Sequence, residues 1–265
     1  MTLLAGKRLL VTGVLTRESI AYAVAERAHA LGAELVFTTF GRTRRLTTRA
    51  ARRLGYDGEL IEFDALDPAA ADRLAAQLGE DRLDGAVHAI AFAPPGAIGG
   101  SFVDVPAADV EAAFRASAYS LNALARATAP AFRRTGGGAI VGLGFDASVT
   151  WPAYDWMGVA KAALEAISRY LARDLGPAGV RVNIVSAGPV RTVASGAFAG
   201  FGALADAWET WAPLGWTSRD PAPVADAVCC LLSDLTRGVT GTLLHVDGGV
   251  HLLGGGLAAA PPEMP

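Results

Sequence analysis

Tyr154 and Lys161 have the side chains and the spacing in this sequence that best suit chemistry. They are seven positions apart in a stretch of good helix formers at residues 152–175, and this stretch begins with a proline, which suits the first turn of a helix. On such a helix the two side chains lie about two turns apart on one face, with Met157 between them. A phenol and an ammonium so placed can bind one extended ligand together.

The same pair also suggests how a reaction would be assisted. A cation near Tyr154 can favour the phenolate and so improve the tyrosine as an acid or donor toward an oxygen that gains charge. An ordinary amphipathic helix with a buried tyrosine and a solvated lysine would show the same spacing. The rest of the sequence is needed to distinguish a ligand-binding pair from an ordinary amphipathic helix.

The elements that position this pair alternate between short apolar strands and helices. Strands are predicted at residues 7–12, 34–40, 58–64, 84–92, 139–143, 180–187 and 241–246. Helices are predicted at residues 19–31, 44–54, 68–78, 104–129, 152–175 and 223–233, and residues 188–216 are expected to be irregular. This alternation predicts a single-domain α/β fold, a doubly wound parallel sheet with helices on both faces. We expect the domain to cover residues 1–253, with a low-complexity tail at 254–265.

Composition excludes several functional classes. Hydrophobic residues make up 52% of the chain and charged residues 18%, which is typical of a compact domain. The net charge of −3 does not favour nucleic acid or an anionic membrane as partner. The adjacent Cys229 and Cys230 indicate core residues rather than a disulfide framework. No apolar run reaches the length of a membrane span, and no signal-peptide segment is evident, so we expect a cytoplasmic protein.

The carboxyl ends of the predicted strands are where a doubly wound fold binds its ligand. Gly13 ends the first strand and Ser19 begins the next helix, where backbone amides and a hydroxyl can hold a pyrophosphate, although a plain N-cap is as good an explanation. The full G-x-G-x-x-G fingerprint is absent. Asp64 can accept a hydrogen bond from an adenine amino group or simply end its strand. His88 is expected to be a packed or exposed histidine rather than a catalyst, and the other histidines are scattered without ligand spacing, so no metal is predicted.

The order of these motifs resembles the short-chain dehydrogenase/reductase superfamily, whose members have a Rossmann fold. The resemblance rests on Thr12-Gly13, Asp64, Tyr154, Lys161, Ala187-Gly188-Pro189 and Asp247-Gly248-Gly249, and it covers nearly the whole chain. Six residues separate the tyrosine from the lysine, where most of the superfamily has three. This spacing, with Gly144-Phe145-Asp146 and Pro189-Val190-Arg191-Thr192, is similar to the enoyl-acyl-carrier-protein reductase branch, and most similar to its mycobacterial type.

The resemblance implies a role for each matching residue. Tyr154 would donate a hydrogen bond to a thioester carbonyl and stabilise the enolate, Lys161 would hold the nicotinamide ribose, and Phe145 would flank the reacting carbon. Phe145 stands on the turn where the superfamily usually has a catalytic serine, which an enolate mechanism does not need. The implied cofactor contacts are Gly13, Ser19, Ile20, Phe40, Asp64, Ala65, Ile90, Ala91, Lys161, Gly188, Pro189 and Thr192. The implied substrate contacts are Phe92, Phe145, Tyr154, Met157, Phe198 and Trp208.

The function implied is NAD(P)H-dependent reduction of the C=C bond of a trans-2-enoyl thioester in fatty-acid or related acyl-chain biosynthesis. The thioester would be carried by acyl carrier protein or by CoA, and the resemblance implies a homotetramer. Two alternatives remain open. One is a reductase of the same fold that acts on another activated C=C or C=O group in a specialised pathway. The other is a non-catalytic sensor that binds a dinucleotide, although such a sensor would have no use for an enolate donor.

The choice between NADH and NADPH depends on the residues after the second strand. A carboxylate there normally binds the ribose hydroxyls of NADH, and related reductases have an acid where this chain has Gly41. Here the segment Phe40–Arg45 has three arginines and no acid, which on physical grounds would suit a 2′-phosphate. The arginines can also be the solvated face of the next helix. The resemblance favours NADH, and NADPH stays open.

The segment at residues 193–212 is the predicted lid. It follows Thr192 and carries Phe198, Phe201, Trp208 and Trp211 among small residues. At the carboxyl edge of the sheet such aromatic rings can cover an apolar acyl chain, although packing against the helix at 223–233 would also explain them. Because this loop is shorter than in related long-chain enzymes, we expect short or medium acyl chains to be preferred.

Overall fold

A computed structural model describes residues 2–197 and 200–253 of the chain. Phe198 and the tail at 254–265 lie outside the described residues, so the predictions made for them stay untested, as does the domain boundary at residue 253. The described strands are β1 (Arg8–Val11), β2 (Glu34–Thr39), β3 (Ile61–Glu62), β4 (Gly85–His88), β5 (Gly138–Gly144), β6 (Val180–Ala187) and β7 (Leu243–Val246). The described α-helices are α1 (Ile20–Ala30), α2 (Arg44–Arg53), α3 (Ala70–Leu78), α4 (Ala107–Phe114), α5 (Ser120–Thr135), α6 (Asp155–Leu175), α7 (Phe201–Trp211) and α8 (Ala222–Leu232).

The strands form one parallel sheet in the order β3-β2-β1-β4-β5-β6-β7. The chain moves outward from β1 to one edge and then from β4 to the other, which is the doubly wound arrangement predicted from the sequence. The order reverses between β1 and β4, and ligands of such folds bind beyond the carboxyl ends of the strands at this switch point.

Side chains of successive strand residues point to opposite faces of the sheet and bury two separate cores. Leu9 and Val11 contribute to the core under α1, α2 and α8, whereas Leu10 contributes to the core under α3, α5 and α6. Cys229 is buried in the first of these cores, as predicted. Because both faces of the sheet are covered by helices, the open edge at the strand ends is the place left for a ligand.

Three differences from the predicted elements concern the site. The helix of Lys161 begins at Asp155 rather than at Pro152, so Tyr154 is its N-cap residue. The long helix predicted at 104–129 is interrupted by a π-helical turn at Arg115–Tyr119 and continues to Thr135. The segment at 188–216, which was expected to be irregular, contains helix α7. Its buried residues Phe201, Ala205 and Trp208 have helical spacing, which the neighbouring glycines obscure in the sequence.

Other boundaries differ by a few residues. β3 is much shorter than predicted, and Asp64 and Ala65 follow it in a loop. β4 ends at His88, so residues 89–92 also lie beyond their strand. Within the described residues, no helix is long and apolar enough to cross a membrane.

Candidate active site

Phe145, Tyr154 and Lys161 meet where β5 ends and α6 begins. The rings of Phe145 and Tyr154 have their centroids 5.0 Å apart. The Nζ atom of Lys161 donates a hydrogen bond of 2.9 Å to the carbonyl oxygen of Leu143, two residues before Phe145. The structure therefore packs Tyr154 against Phe145 and bonds Lys161 to the end of the strand that leads to Phe145.

The turn that carries Tyr154 has an unusual backbone. Ala153 and Asp155 have φ angles of 58° and 46°, a region that costs residues other than glycine about 1–3 kcal/mol. The Asp155 carboxylate compensates by accepting hydrogen bonds from the backbone amides of Gly99 (2.8 Å) and Gly100 (3.2 Å). This contact fixes the start of α6 against the loop after β4, and so it fixes the position of the Tyr154 ring.

Burial changes the titration of both polar side chains. It lowers the pKa of the Lys161 ammonium to about 8, and it raises the pKa of the Tyr154 hydroxyl above its ordinary value. The expectation that the lysine favours the phenolate is therefore wrong for this structure, because desolvation of the phenol dominates. Tyr154 is a protonated hydrogen-bond donor at neutral pH, and this is the form that a donor to an oxyanion requires.

An aromatic wall surrounds Phe145. It comprises Trp151 and Trp208, whose ring centroids lie 5.7 Å and 5.6 Å from that of Phe145 and 4.7 Å from each other. Trp208 is only 1% exposed, so α7 is packed down onto the site. A Cβ atom at Gly188 would lie 2.8 Å from Trp216 and 3.0 Å from the indole nitrogen of Trp208, so the close approach of these two indoles requires glycine. The side of the site toward α7 is therefore apolar.

The turn after β1 is shaped to hold a dinucleotide. Gly13 has a φ of +79°, and a Cβ atom there would lie 2.0 Å from the carbonyl oxygen of Ala89, so only glycine lets the ends of β1 and β4 approach so closely. Thr12 connects the same two ends, donating to the Val87 carbonyl and accepting from the Ala89 amide. The first turn of α1 contains no acid, so its positive end is open to a pyrophosphate. These features fit the predicted cofactor.

Ser19 serves as the N-cap of α1. Its hydroxyl accepts a 3.3 Å hydrogen bond from the Tyr22 amide and donates a 2.7 Å bond to the Thr16 carbonyl. The structure thus shows the capping role that the sequence left open, and contact of Ser19 with a phosphate stays a prediction. Ile20 follows it and packs partly on the core under α1.

The other predicted cofactor residues are spread along the same edge of the sheet. Phe40, Asp64 and Ala65 are half-buried after β2 and β3, and an oxygen of Asp64 accepts from the Leu66 amide at 2.9 Å. Ile90 is half-buried and Ala91 exposed after β4, whereas Gly188 and Pro189 are buried after β6. Thr192 exchanges hydrogen bonds with Ser195 and closes a short turn before α7. Their contacts with a cofactor stay predictions.

The predicted substrate residues fall into two groups. Trp208 and Met157 are buried beside the catalytic residues, Met157 on α6 with 6% exposure. Phe92 is 39% exposed, and both its amide and its carbonyl are hydrogen-bonded to Ser117 in the π-helical turn. Sequence reasoning missed Trp151 and Asp155, whose signals were present in the Trp-Pro-Ala-Tyr-Asp segment. Phe201, which the sequence placed only in the lid, packs with Tyr154.

The histidines differ partly from expectation. His88 is fully buried, its Nε2 lies 2.7 Å from the Ser120 hydroxyl, and burial lowers its pKa to about 3, so of the two states left open it is the packed one, and it is neutral. His245 and His251 were expected to be scattered, but together with Asp247 they form a cluster whose ligand atoms lie within 4.8 Å of one another. The two imidazole rings stack in parallel at 3.9 Å, a geometry in which their in-plane lone pairs do not converge on one ion. Asp247 itself accepts from the backbone amides of Gly249 and His251.

Known proteins resemble this chain over nearly its full length. A family model described as Enoyl-(Acyl carrier protein) reductase matches residues 13–251. The enoyl-acyl-carrier-protein reductase (NADH) of Mycolicibacterium smegmatis is 46% identical over 264 residues, which cover 93% of this chain and 97% of that protein. The enzyme of the same name from Mycobacterium avium is 44% identical, with the same coverage. The one from Escherichia coli strain K12 is 38% identical and covers 95% of this chain and 97% of that protein.

The chain therefore belongs to the enoyl-acyl-carrier-protein reductase family of the short-chain dehydrogenase/reductase superfamily. The resemblance drawn from the Tyr154–Lys161 spacing is confirmed, and so are the Rossmann-type α/β fold and the assignment to NADH-dependent oxidoreductases.

Substitution of Lys161 by methionine should separate binding from stability. We expect Lys161→Met to lose most of its NADH affinity, whereas the free energy of unfolding at pH 7 should be equal to or above that of the wild type. Below pH 8 Lys161 is charged in both the folded and the unfolded wild type, so the folded state is destabilised by a buried cation. Between about pH 8 and 10.5 only the unfolded lysine stays charged, and the free energy of unfolding of the wild type therefore rises with pH. Cofactor titration and denaturant unfolding at pH 7 and pH 10 measure both quantities.

The matched control is Lys7→Met, because Lys7 pairs with Asp234 away from the site at 2.7 Å and should leave NADH affinity unchanged. An Lys161→Met protein that keeps wild-type NADH affinity, or that loses more than about 2 kcal/mol of stability at pH 7, would contradict this assignment.

Proposed function

We propose that this chain reduces the C=C bond of a trans-2-enoyl thioester bound to acyl carrier protein, through an enolate stabilised by Tyr154. The observation that carries this proposal is the Tyr154 ring packed beside Phe145 at the start of the helix that carries the buried Lys161. NADH, when bound, supplies the hydride that adds to the β-carbon. The carbonyl oxygen of the thioester then gains the displaced electron pair, and the Tyr154 hydroxyl donates a hydrogen bond to it.

The residue composition of the site supports C=C rather than C=O reduction. An enolate needs only a positioned donor at its oxygen, since the proton that completes the reaction goes to the α-carbon. Reduction of a ketone instead requires a proton to be delivered to an alkoxide. Phe145 follows β5 directly, where it offers an apolar ring and no proton, and the raised pKa of Tyr154 suits hydrogen-bond donation better than full proton transfer.

Lys161 is proposed to orient the cofactor. The residue is 6% exposed and its ammonium is anchored to the Leu143 carbonyl, which leaves two further N–H groups for the ribose hydroxyls. NADH is the cofactor in the names of the relatives from both mycobacterial species, which supports NADH over NADPH.

Three points of the proposal do not rest on the geometry of the site. The relatives are named for acyl carrier protein, which favours that carrier over CoA. The homotetramer follows only from the resemblance and the cytoplasmic location only from the sequence, and both stay predictions. The two alternatives, a reductase of another activated C=C or C=O group and a non-catalytic sensor, are separated from this proposal by the next experiment.

Removal of the Tyr154 hydroxyl should affect chemistry and leave cofactor binding intact. We expect Tyr154→Phe to slow hydride transfer to an enoyl thioester by about 10²–10³-fold, because one oxyanion donor is lost. Single-turnover oxidation of bound NADH, followed by absorbance at 340 nm, measures this step, and a separate titration measures NADH affinity.

The informative control is Tyr170→Phe, which removes a phenol from the same helix at a position that is 63% exposed. It should leave the rate unchanged. A Tyr154→Phe protein with the wild-type rate would eliminate the enolate role. Wild-type protein that binds NADH but does not oxidise it with any enoyl thioester would favour the alternatives. Oxidation with another activated C=C or C=O compound would then indicate the other reductase, and no oxidation with any of these compounds would indicate the sensor.

The position of Trp208 predicts a preference for short or medium acyl chains. Its indole packs against both Phe145 and Trp151 and closes this side of the site, so the wild-type kcat/KM should rise only over the first few methylenes. In Trp208→Leu the rise should extend to longer chains, by about fourfold for each further methylene buried, which corresponds to about 0.8 kcal/mol. A series of enoyl thioesters from C4 to C16 measures this.

Trp211→Leu, three residues along the same helix, is the matched control, because Trp211 is only half-buried at the margin of the same aromatic cluster. A wild-type enzyme whose kcat/KM rises steadily through C12 to C16 would show that Trp208 does not limit the chain.

A further inference from the structure

The residue that distinguishes NADH from NADPH is missing from its usual place. In dinucleotide-binding folds a carboxylate just after β2 accepts a hydrogen bond from the 2′-hydroxyl of the adenosine ribose. Here β2 is followed by Phe40 and Gly41, and six arginines with no acid occupy residues 42–53. Cations in this region normally favour the 2′-phosphate of NADPH, yet the relatives are named for NADH. The structure offers an explanation for this conflict, which rests on the proposed use of a nicotinamide cofactor.

The missing carboxylate is supplied by the neighbouring strand. β3 pairs in parallel with β2 in a register that sets Glu62 beside Thr39, two residues before Gly41. From there the Glu62 side chain reaches across the strand ends, and its Oε1 atom accepts a 3.0 Å hydrogen bond from the Gly41 amide. A Cβ atom built on Gly41 would have no neighbour within 4 Å, so the space beside the Gly41 Cα is open.

The Glu62 carboxylate keeps both its charge and the capacity to bind a hydroxyl. Two oxygens provide about four acceptor positions, and the Gly41 amide uses one of them. Arg44 approaches the other oxygen only to 3.9 Å, and its own side chain is 52% exposed, so this ion pair is weak. Glu62 is 36% exposed, which leaves it accessible to a ligand at the edge of the sheet.

We propose that Glu62 determines the preference for NADH by placing a carboxylate from β3 at the position after β2 where the adenosine ribose binds. It accepts a hydrogen bond from the ribose 2′-hydroxyl of NADH. The same negative charge repels the 2′-phosphate of NADPH and so prevents the arginines of α2 from capturing it.

The test is the ratio of the dissociation constants of NADPH and NADH, measured by fluorescence titration without any enoyl thioester. In Glu62→Gln we expect this ratio to fall at least about tenfold, because the charge is lost while the amide oxygen of glutamine can still accept from Gly41 and preserve the fold. The matched control is Glu59→Gln, which makes the same change of net charge at an exposed position on the approach to β3. It should leave the ratio within about twofold of the wild type.

A second variant tests whether the position of the carboxylate matters, rather than the identity of residue 62. Adding Gly41→Asp to Glu62→Gln puts an acid back after β2, in the open space at residue 41, where aspartate tolerates the positive φ of 26° better than most residues do. We expect the NADH preference to return.

The inference is overturned if the ratio of dissociation constants in Glu62→Gln matches that in Glu59→Gln, or if Glu62→Gln loses affinity for both nucleotides equally. It is also overturned if the wild type binds NADPH as tightly as NADH, or binds neither nucleotide. A wild type that prefers NADH through Glu62 but reduces no enoyl thioester would leave this inference standing and contradict the proposed function.

Discussion

The hydrogen bond from the buried Lys161 ammonium to the Leu143 carbonyl is the interaction on which the candidate site depends. It joins α6 to the end of β5, and it holds a cation in a place where burial lowers its pKa to about 8. Burying an ammonium is unfavourable unless it is paired and hydrogen-bonded, so a chain selected for stability alone would place an apolar residue there. The cation is better explained by a ligand that it must bind.

The rest of the site is arranged around this fixed point. Asp155 holds the strained turn that aims Tyr154, and Gly13 lets the ends of β1 and β4 approach closely enough to hold a dinucleotide. On the other side, Trp208 and Trp151 exclude water from the Phe145 ring. In such an apolar environment a single neutral donor stabilises a developing oxyanion more strongly than it would in water. This explains how the Tyr154 hydroxyl alone can be sufficient to stabilise the enolate.

Sequence reasoning reached the fold and the catalytic residues but not the contacts that position them. The alternation of strands and helices determined the sheet, and the Tyr154–Lys161 spacing was specific enough to identify the branch of the superfamily. The start of α6 was placed three residues too early because Pro152 is a good first-turn residue, and only the tertiary bond of Asp155 to Gly99 and Gly100 shows where the helix begins. Helix α7, the effect of burial on Tyr154 and the reach of Glu62 toward Gly41 all depend on contacts between distant segments, which local patterns do not encode.

The central claim is that hydride adds to the β-carbon and that the resulting enolate is held by Tyr154. The direct measurement is the position of deuterium in the product when the trans-2-crotonyl thioester of acyl carrier protein is reduced with C4-deuterated NADH, analysed by NMR or mass spectrometry. We predict deuterium from the cofactor at C3 and, in a parallel reaction with ordinary NADH in D2O, deuterium from solvent at C2. Cofactor deuterium at C2, or at C1 of an alcohol product, would contradict the account.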